Sequence, residues 1–295
     1  MNTLNRFFLG VLLLLLVVLG GVVWWQRTLL KEPAPPAPAA NKPPPTATNV
    51  PAVAVASKAP ASAAAREALQ SALELHRQNK FVPARDALRQ WLIDHPDSEL
   101  TAEAETGLGE INIQIVTTPV PAPEKEDYTV PSGDSLARIA KKFNTTVELV
   151  KKSNRLVSDV IRVGDRLRVC QTSFSVVVDK TANTLTLLDK GKFFKKYRVG
   201  TGEYSTTPSG DFKIVDRLKE PAWHKDGRII PYGDTNNVLG THWLALNVPG
   251  YGIHGTWDED SIGKQSSAGC VRLRNAEIEE LFILLPYGTP VTIHE

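Results

Sequence analysis

The first long stretch of the chain carries no charge, and it restricts where a globular fold can begin. Residues 7–25 are 19 consecutive uncharged positions, about 28 Å long as a helix and about as thick as a bilayer hydrocarbon core. Trp24 and Trp25 stand where an aromatic belt would lie, with Arg27 and Lys31 beyond them. The run predicts an uncleaved transmembrane helix. A cleaved signal peptide is the alternative, although no small-x-small cleavage site follows closely.

Residues 33–60 contain nine Pro and nine Ala in 28 positions and few large apolar side chains. Such a composition buries too little surface to fold, and its prolines keep the backbone extended. We expect a stalk between the anchor and the folded domains.

Residues 62–116 have apolar side chains at helical spacing in three stripes. The pattern faintly resembles one and a half tetratricopeptide repeats, whereas a solenoid normally needs three or more repeats. The segment is interpreted as a small helical spacer, and a module that binds a protein partner is the alternative.

Residues 128–169 read as strand, helix, helix, strand. Asp134 is expected to cap the first helix, and Thr145 with Glu148 to form a capping box for the second. This segment resembles the LysM module in Tyr128-Thr-Val, Ser132-Gly-Asp-Ser-Leu136, Ile139-Ala140, Phe143, Leu149, Asn154 and Ile161-Arg-Val-Gly-Asp165.

LysM modules bind glycans that contain N-acetylglucosamine, chiefly peptidoglycan and chitin. The family's sugar groove lies between the first strand–helix loop and the second helix–strand loop. The resemblance therefore implies glycan contacts in residues 132–136 and 154–161, by Gly133, Asp134, Ser135, Asn154 and Ile161.

Beyond residue 174, short alternating runs separated by Gly and Pro predict a mostly β sandwich or barrel. One helix is expected, over residues 277–285. The whole chain is thus predicted to be multidomain, with the transmembrane helix followed by a helical segment, a small βααβ domain and a β-rich catalytic domain.

The chemistry is concentrated in two short motifs, one with His254 and one with Cys270. A thiolate is the strongest side-chain nucleophile, and a nearby imidazole can take the thiol proton. Gly255 and Gly269 allow close approach of a substrate and free nearby amides to serve as an oxyanion hole. Arg272 follows the cysteine by two residues in an extended segment, and it could hold a carboxylate.

Residues 174–294 resemble the YkuD-type L,D-transpeptidase catalytic domain. The matching residues are Thr207-Pro-Ser-Gly210, Phe212-Lys213, Leu239-Gly240-Thr241, Ile253-His-Gly-Thr256, Ile262-Gly-Lys264, Ser267-Ala-Gly-Cys-Val-Arg272, Asn275 and Gly288-Thr-Pro-Val-Thr292. The resemblance places the family's nucleophile on Cys270, its base on His254, and supporting roles on Ser267, Gly269 and Arg272. Relatives usually have histidine where this chain has Ala268.

The resemblance implies a peptidoglycan cross-linking enzyme. Cys270 would form a thioester with a tetrapeptide stem and transfer it to an amine, which makes stem peptides and glycan strands the expected partners. We therefore expect a single-pass protein of the cell membrane, held by residues 7–25, with most of the chain in the periplasm or cell wall. A thiol hydrolase and a non-catalytic peptidoglycan-binding scaffold are the alternatives.

Several classes are not expected. A net charge of +2 without a strongly basic segment argues against a nucleic-acid binder. His224, His242 and His254 lack metal-ligand spacing, so neither a metal nor another cofactor is predicted. Cys170 is interpreted as structural, although a disulfide with Cys270 stays open outside the cytoplasm.

Overall fold

The computed structural model describes residues 58–295. The predicted anchor and all but the last residues of the predicted stalk lie outside this range. Within residues 58–295, no helix is both long enough and apolar enough to cross a membrane. The last residues of the predicted stalk contact the helical module, because Ala59 forms a parallel β-bridge with Ser98.

The helical module comprises α1 (Ala63–Arg77), α2 (Phe81–Asp94) and α3 (Thr101–Thr117). The predicted stripes bury Leu69 of α1, Leu88 and Trp91 of α2, and Leu108 of α3, among others. The three helices thus form one apolar cluster, as their 3.6-residue periodicity predicts.

The βααβ module comprises β1 (Lys125–Thr129), α4 (Leu136–Lys142), α5 (Val147–Ser153) and β2 (Arg166–Cys170), with β1 and β2 antiparallel. Both predicted caps are wrong by one residue. Ser135 rather than Asp134 caps α4, and Thr146 rather than Thr145 caps α5 by accepting a hydrogen bond from the Leu149 amide at 2.9 Å.

The C-terminal module is built around an eight-stranded mixed sheet with the order β13-β11-β10-β7-β14-β3-β4-β5. Smaller ladders join β6 to β12 and β8 to β9. The strands are β3 (Phe174–Asp179), β4 (Thr184–Asp189), β5 (Lys192–Arg198), β6 (Thr201–Gly202), β7 (Gly210–Lys219), β8 (Trp223–Lys225), β9 (Arg228–Ile230), β10 (His242–Leu246), β11 (Gly252–Thr256), β12 (Gln265–Ser267), β13 (Val271–Arg274) and β14 (Pro290–His294).

The large sheet closes on itself at one point. Gly200, just beyond the edge strand β5, forms an antiparallel bridge with Arg272 of the other edge strand, β13. The result is a barrel-like body, as the sequence predicts. Helix α6 (Asn275–Leu284) begins directly after β13 and packs against β10, β11 and β13.

Each module has an apolar cluster of its own, and the helical and βααβ modules also contribute residues to the cluster of the catalytic sheet. Val116 of α3 and Leu149 of α5 belong to the same buried apolar cluster as the catalytic sheet. The Asn112 side chain donates to the Phe194 carbonyl of β5 at 2.7 Å. Gly109 lets α3 approach β5 closely, because a Cβ there would lie 2.8 Å from Lys195 Cγ. The helical segment is therefore a packed part of the body, whereas the sequence predicts a spacer.

Candidate active site

Two neighbouring parallel strands bring the predicted nucleophile and base to one place. Strand β11 contains His254, and β13 begins directly after Cys270. The register pairs Ile253 with Val271 and His254 with Arg272. Because side chains alternate between the faces of a strand, Cys270, Arg272 and His254 lie on the same face.

The His254 ring is buried and oriented. Its Nδ1 donates to the carbonyl of Gly255 at 2.6 Å, which leaves the Nε2 lone pair free to accept a proton. The ring stacks on Trp243 with centroids 5.6 Å apart. Burial lowers the pKa of His254 to about 4, since the carbonyls of Gly255 and Leu239 only partly offset it and the charge of Arg272 adds to it. The imidazole is therefore neutral at pH 7.

The Cys270 thiol is also neutral at rest. Burial raises its pKa, and the Gly252 amide and the Arg272 charge offset this only in part. Sγ donates to the Gly250 carbonyl at 3.6 Å. Among the hydrogen bonds of residues 58–295, none joins Sγ to the His254 ring. The resting pair is thus thiol and imidazole rather than thiolate and imidazolium.

The Ser267 side chain shapes the turn that carries Cys270. Its hydroxyl donates to the Cys270 carbonyl at 2.7 Å and accepts from the Gly269 amide at 3.0 Å. The predicted oxyanion role of the Gly269 amide therefore needs correction, since Ser267 already accepts its hydrogen. Gly269 is required for another reason: its φ is +134°, and a Cβ would lie 2.7 Å from the Tyr251 ring. Ala268 is exposed.

Asn275 links the residue before β10 to the last residue of β11, the strand that contains His254. Its Oδ1 accepts from the Thr241 amide at 3.0 Å, and its Nδ2 donates to the Thr256 carbonyl at 3.0 Å. Side chains at Gly240 or Gly255 would collide with Oδ1. Gly255, predicted to line the oxyanion or substrate space, is instead buried, makes room for Asn275 and accepts from the His254 ring.

The side-chain Nε of Arg272 is a hydrogen-bond donor without a partner among the described residues, and Arg272 lies on the same face as Cys270 and His254. Its backbone amide and carbonyl pair with those of Gly200 at 2.8 and 2.9 Å. Its side-chain Nε is buried and has no acceptor among the described residues. A buried donor without an acceptor suits a group that arrives with a ligand.

Cys170 serves a different purpose from Cys270. Both cysteines are free, so no disulfide links them. Cys170 lies in the core next to the Val116 carbonyl, and burial raises its pKa to about 12. Such a thiol is unreactive. Within residues 58–295, no three His, Cys, Asp or Glu side chains are grouped closely enough to hold a metal.

The first predicted glycan loop is exposed at its tip. Gly133 adopts φ +78° at the surface, and its carbonyl accepts from Arg138. The Asp134 carboxylate accepts from the Tyr128 hydroxyl at 2.6 Å and from the Ser135 amide at 2.7 Å. The Asp134 side chain therefore stabilises the loop, and the Ser135 side chain caps α4.

Two residues of the second predicted glycan loop have structural contacts. The Asn154 amide group donates to the carbonyls of Val150 and Arg168 and accepts from the Arg168 amide at 2.7 Å. Ile161 is half-buried against the core of the βααβ module. Asn154 thus fastens α5 to β2 and has its polar atoms occupied, which corrects its assignment as a sugar contact. The loop exposes instead two apolar side chains that the sequence did not point to, Val157 and Val160, and Val163 is exposed just beyond it.

Comparison with known proteins agrees with this layout. The L,D-transpeptidase catalytic domain family, YkuD, matches residues 173–293, and the LysM domain family matches residues 128–169. Two Bacillus subtilis (strain 168) proteins with L,D-transpeptidase names are similar to this chain. YkuD is 31% identical over 174 residues, or 57% of this chain and 98% of YkuD. YqjB is 37% identical over 124 residues, or 40% of this chain and 69% of YqjB.

Among solved structures, an L,D-transpeptidase from Mycobacterium tuberculosis aligns over 45% of this chain and 63% of its own chain, with 16% identity and a TM-score of 0.37. The relationship to YkuD, by contrast, extends over nearly that protein's whole length. The resemblance seen in the sequence motifs is thereby confirmed, and the chain belongs to the YkuD family of L,D-transpeptidases, with a LysM domain preceding its catalytic domain.

Proposed function

We propose that this protein is a peptidoglycan L,D-transpeptidase that forms a thioester on Cys270. The observation that carries the proposal is the placement of Cys270 and His254 on one face of the parallel strands β11 and β13, with His254 Nε2 free to accept a proton. A thiol on the same face as an oriented, neutral imidazole is the arrangement from which acyl transfer through a cysteine can proceed.

In the first half-reaction, Cys270 Sγ attacks the carbonyl carbon of the third residue of a tetrapeptide stem. His254 Nε2 takes the thiol proton as the S–C bond forms, because both groups are neutral at rest. Nε2 then gives this proton to the departing amine as the C–N bond breaks. D-Ala leaves, and the stem is held as a thioester.

The substrate would bring the acceptor that Arg272 lacks. The Nε of Arg272 is buried without a partner and lies on the same face as the reacting pair. A carboxylate of the stem would accept from it in a charge-assisted hydrogen bond. Since Ser267 occupies the Gly269 amide, the Cys270 amide is the better candidate donor to the developing oxyanion.

In the second half-reaction, the side-chain amine of another stem attacks the thioester carbon, His254 accepts the amine proton, and the thiol leaves with that proton. The product is a cross-link between the third residues of two stems. Water or a free D-amino acid could replace the amine, so hydrolysis and exchange are alternative outcomes of the same thioester.

We further propose that residues 7–25 anchor the protein in the cell membrane and that the described domains work outside the cytoplasm. Peptidoglycan lies there, and the Pro/Ala-rich residues 33–60 are long enough as an extended chain to carry the domains several tens of ångströms from the bilayer. The suggested protein partner of the helical segment stays a prediction.

The experiment that tests the function is incubation of the full chain, in detergent, with tetrapeptide muropeptides, followed by mass spectrometry of protein and products. We expect a thioester adduct and cross-linked dimers for the wild type and for Cys170→Ala, and neither for Cys270→Ala. A hydrolase would release tripeptide without dimers even when amine acceptors are present. If the wild type forms no adduct, or Cys270→Ala still does, the catalytic proposal is wrong and the scaffold alternative gains support.

A further inference from the structure

The LysM domain and the catalytic domain enclose a groove that none of the proposed chemistry uses. Two adjoining cavities of about 460 Å³ and 440 Å³ share Asn144, Pro286 and Tyr287 in their walls. Asn144 comes from the turn between α4 and α5, whereas Pro286 and Tyr287 follow α6. The two cavities together form the interdomain groove. Each lies within the size range of small-molecule sites.

Two buried polar atoms in the wall of the groove have no hydrogen-bond partner among the described residues. They are Thr145 Oγ1 and Arg217 Nε. Only 6% of Thr145 and 9% of the Arg217 side chain are exposed. Leaving such an atom unsatisfied in the folded protein is unfavourable, so each calls for an explanation. The residues that carry these atoms, Thr145 and Arg217, line the same cavity, and a ligand whose oxygen atoms displace the side chains covering them would satisfy both.

The charge of Arg217 is already balanced by the protein. Its terminal nitrogen contacts a Glu148 carboxylate oxygen at 3.3 Å and donates to the Phe282 carbonyl. Its guanidinium lies 4.3 Å from the centroid of the Phe282 ring. The free Nε–H is therefore a directed donor without a full uncompensated charge, which suits a hydroxyl or an amide carbonyl oxygen better than a carboxylate.

The rest of the groove offers an aromatic surface. Tyr287 is 57% exposed, and its ring lies 5.8 Å from the Arg217 guanidinium. Ala137, Ala140 and Val147 add small apolar surface on the LysM side. An exposed aromatic ring beside a few fixed polar groups is the arrangement that binds a sugar ring, which has an apolar face and a polar edge.

We propose that the interdomain groove is a second glycan-binding site, which takes an N-acetylated hexosamine of a peptidoglycan strand. The sugar face lies on Tyr287, while its oxygens accept from Arg217 Nε and exchange hydrogen bonds with Thr145 Oγ1. The site is separate from the LysM loops 132–136 and 154–161. This inference rests on the proposed function only in taking peptidoglycan as the ligand.

The test uses the full chain with chitopentaose, a peptide-free N-acetylglucosamine oligomer, and hydrogen–deuterium exchange read by mass spectrometry. We expect protection of residues 140–148 and 284–290 in addition to the LysM loops. Thr145→Val and Tyr287→Ala should remove the protection of these two segments, weaken the chitopentaose affinity measured there about fivefold, and leave the loop protection intact. Tyr287→Phe keeps the ring and should keep the protection.

Stability measurements separate a ligand contact from a structural role. Because Thr145 Oγ1 has no partner in the folded protein, Thr145→Val should leave the melting temperature unchanged or raise it. Thr106→Val on the exposed side of α3 and Tyr204→Ala, at another exposed tyrosine, are the matched controls and should not alter protection.

Three results would overturn the proposal. One is protection confined to the loops in the wild type, and another is protection unchanged by both groove variants. The third is protection of the groove by a free stem tetrapeptide rather than by chitopentaose, which would make it a peptide site. Thioester formation on small soluble muropeptides should persist in Thr145→Val and Tyr287→Ala. Groove protection in a wild type that forms no thioester would mean that the enzyme proposal fails and this one stands, whereas a thioester without groove protection would mean the reverse.

Discussion

The buried His254 ring should make the folded state sensitive to mild acid. Its pKa is about 4 in the folded protein, against an ordinary value of 6.5 for an exposed histidine. The unfolded chain therefore binds the proton first as the pH falls. The stability that neutral His254 permits is complete above about pH 6.5 and is lost progressively toward pH 4. Between pH 7 and pH 4 the loss from this one group is about 3 kcal/mol.

The measurement is urea unfolding of the full chain at pH 7, 6, 5 and 4, for the wild type and for His254→Gln. Other groups titrate in both proteins, and buried His242, whose pKa is also lowered by burial, is the most relevant of them. The difference between the two proteins isolates His254. The free energy of unfolding of the wild type should fall about 3 kcal/mol more than that of His254→Gln between pH 7 and pH 4. Equal falls would refute the argument, since His254 would then titrate like an exposed histidine.

Three further outcomes follow from the contacts around the site. Cys270 should react with iodoacetamide more slowly than free cysteine at pH 7, even in an active enzyme, and its rate should keep rising above pH 9, because burial raises the thiol pKa. Ser267→Ala should slow thioester formation with a tetrapeptide muropeptide at least tenfold, while the free energy of unfolding falls by only about 1 kcal/mol. Gly109→Leu should lower that free energy by about 2 kcal/mol through crowding against β5, whereas Glu110→Leu on the exposed face should change it by less than about 0.5 kcal/mol.

The slow alkylation also changes how the alternatives can be separated. An unreactive Cys270 would ordinarily count as a sign of the non-catalytic scaffold. The structure removes that criterion, because a general-base mechanism keeps Cys270 protonated until substrate is bound. Adduct formation with an acylating substrate is therefore the informative assay.

The sequence predicts the elements of the βααβ module but not the residue that caps each helix. Asp134 and Ser135 are both good capping residues, as are Thr145 and Thr146, and local propensity cannot choose between them. Tertiary contacts decide in the second pair, because the Thr146 hydroxyl also donates to the Ile283 carbonyl of α6. That contact depends on how two domains pack, which no local pattern contains.

His254 and Cys270 could be singled out from the sequence because the motifs around them are specific, and the structure places them on one face of two neighbouring strands. Their protonation states could not, since each depends on burial by strands distant in the chain. The same holds for Asn154. Its place in a loop suggests a sugar contact, but its side-chain amide is hydrogen-bonded to the backbone of Arg168 in β2. The sequence therefore predicts features that depend on local motifs, and it misses those that depend on contacts between elements far apart in the chain.

The packing between the modules changes what domain deletion can reveal about this protein. Separate modules would let the LysM domain supply binding energy remote from the reacting carbonyl, which lowers the apparent KM and leaves kcat alone. Here Val116 and Leu149 lie in the same buried cluster as the catalytic sheet, and Thr146 bonds to α6. Deletion of residues 1–173 would uncover that cluster, so loss of activity would report on folding as well as on binding.

A packed LysM domain also fixes the position of a bound glycan strand relative to Cys270, so glycan binding can orient the stem as well as retain it. Single substitutions in the loops and in the interdomain groove, compared on soluble stems and on intact sacculi, are therefore the changes that separate binding from catalysis.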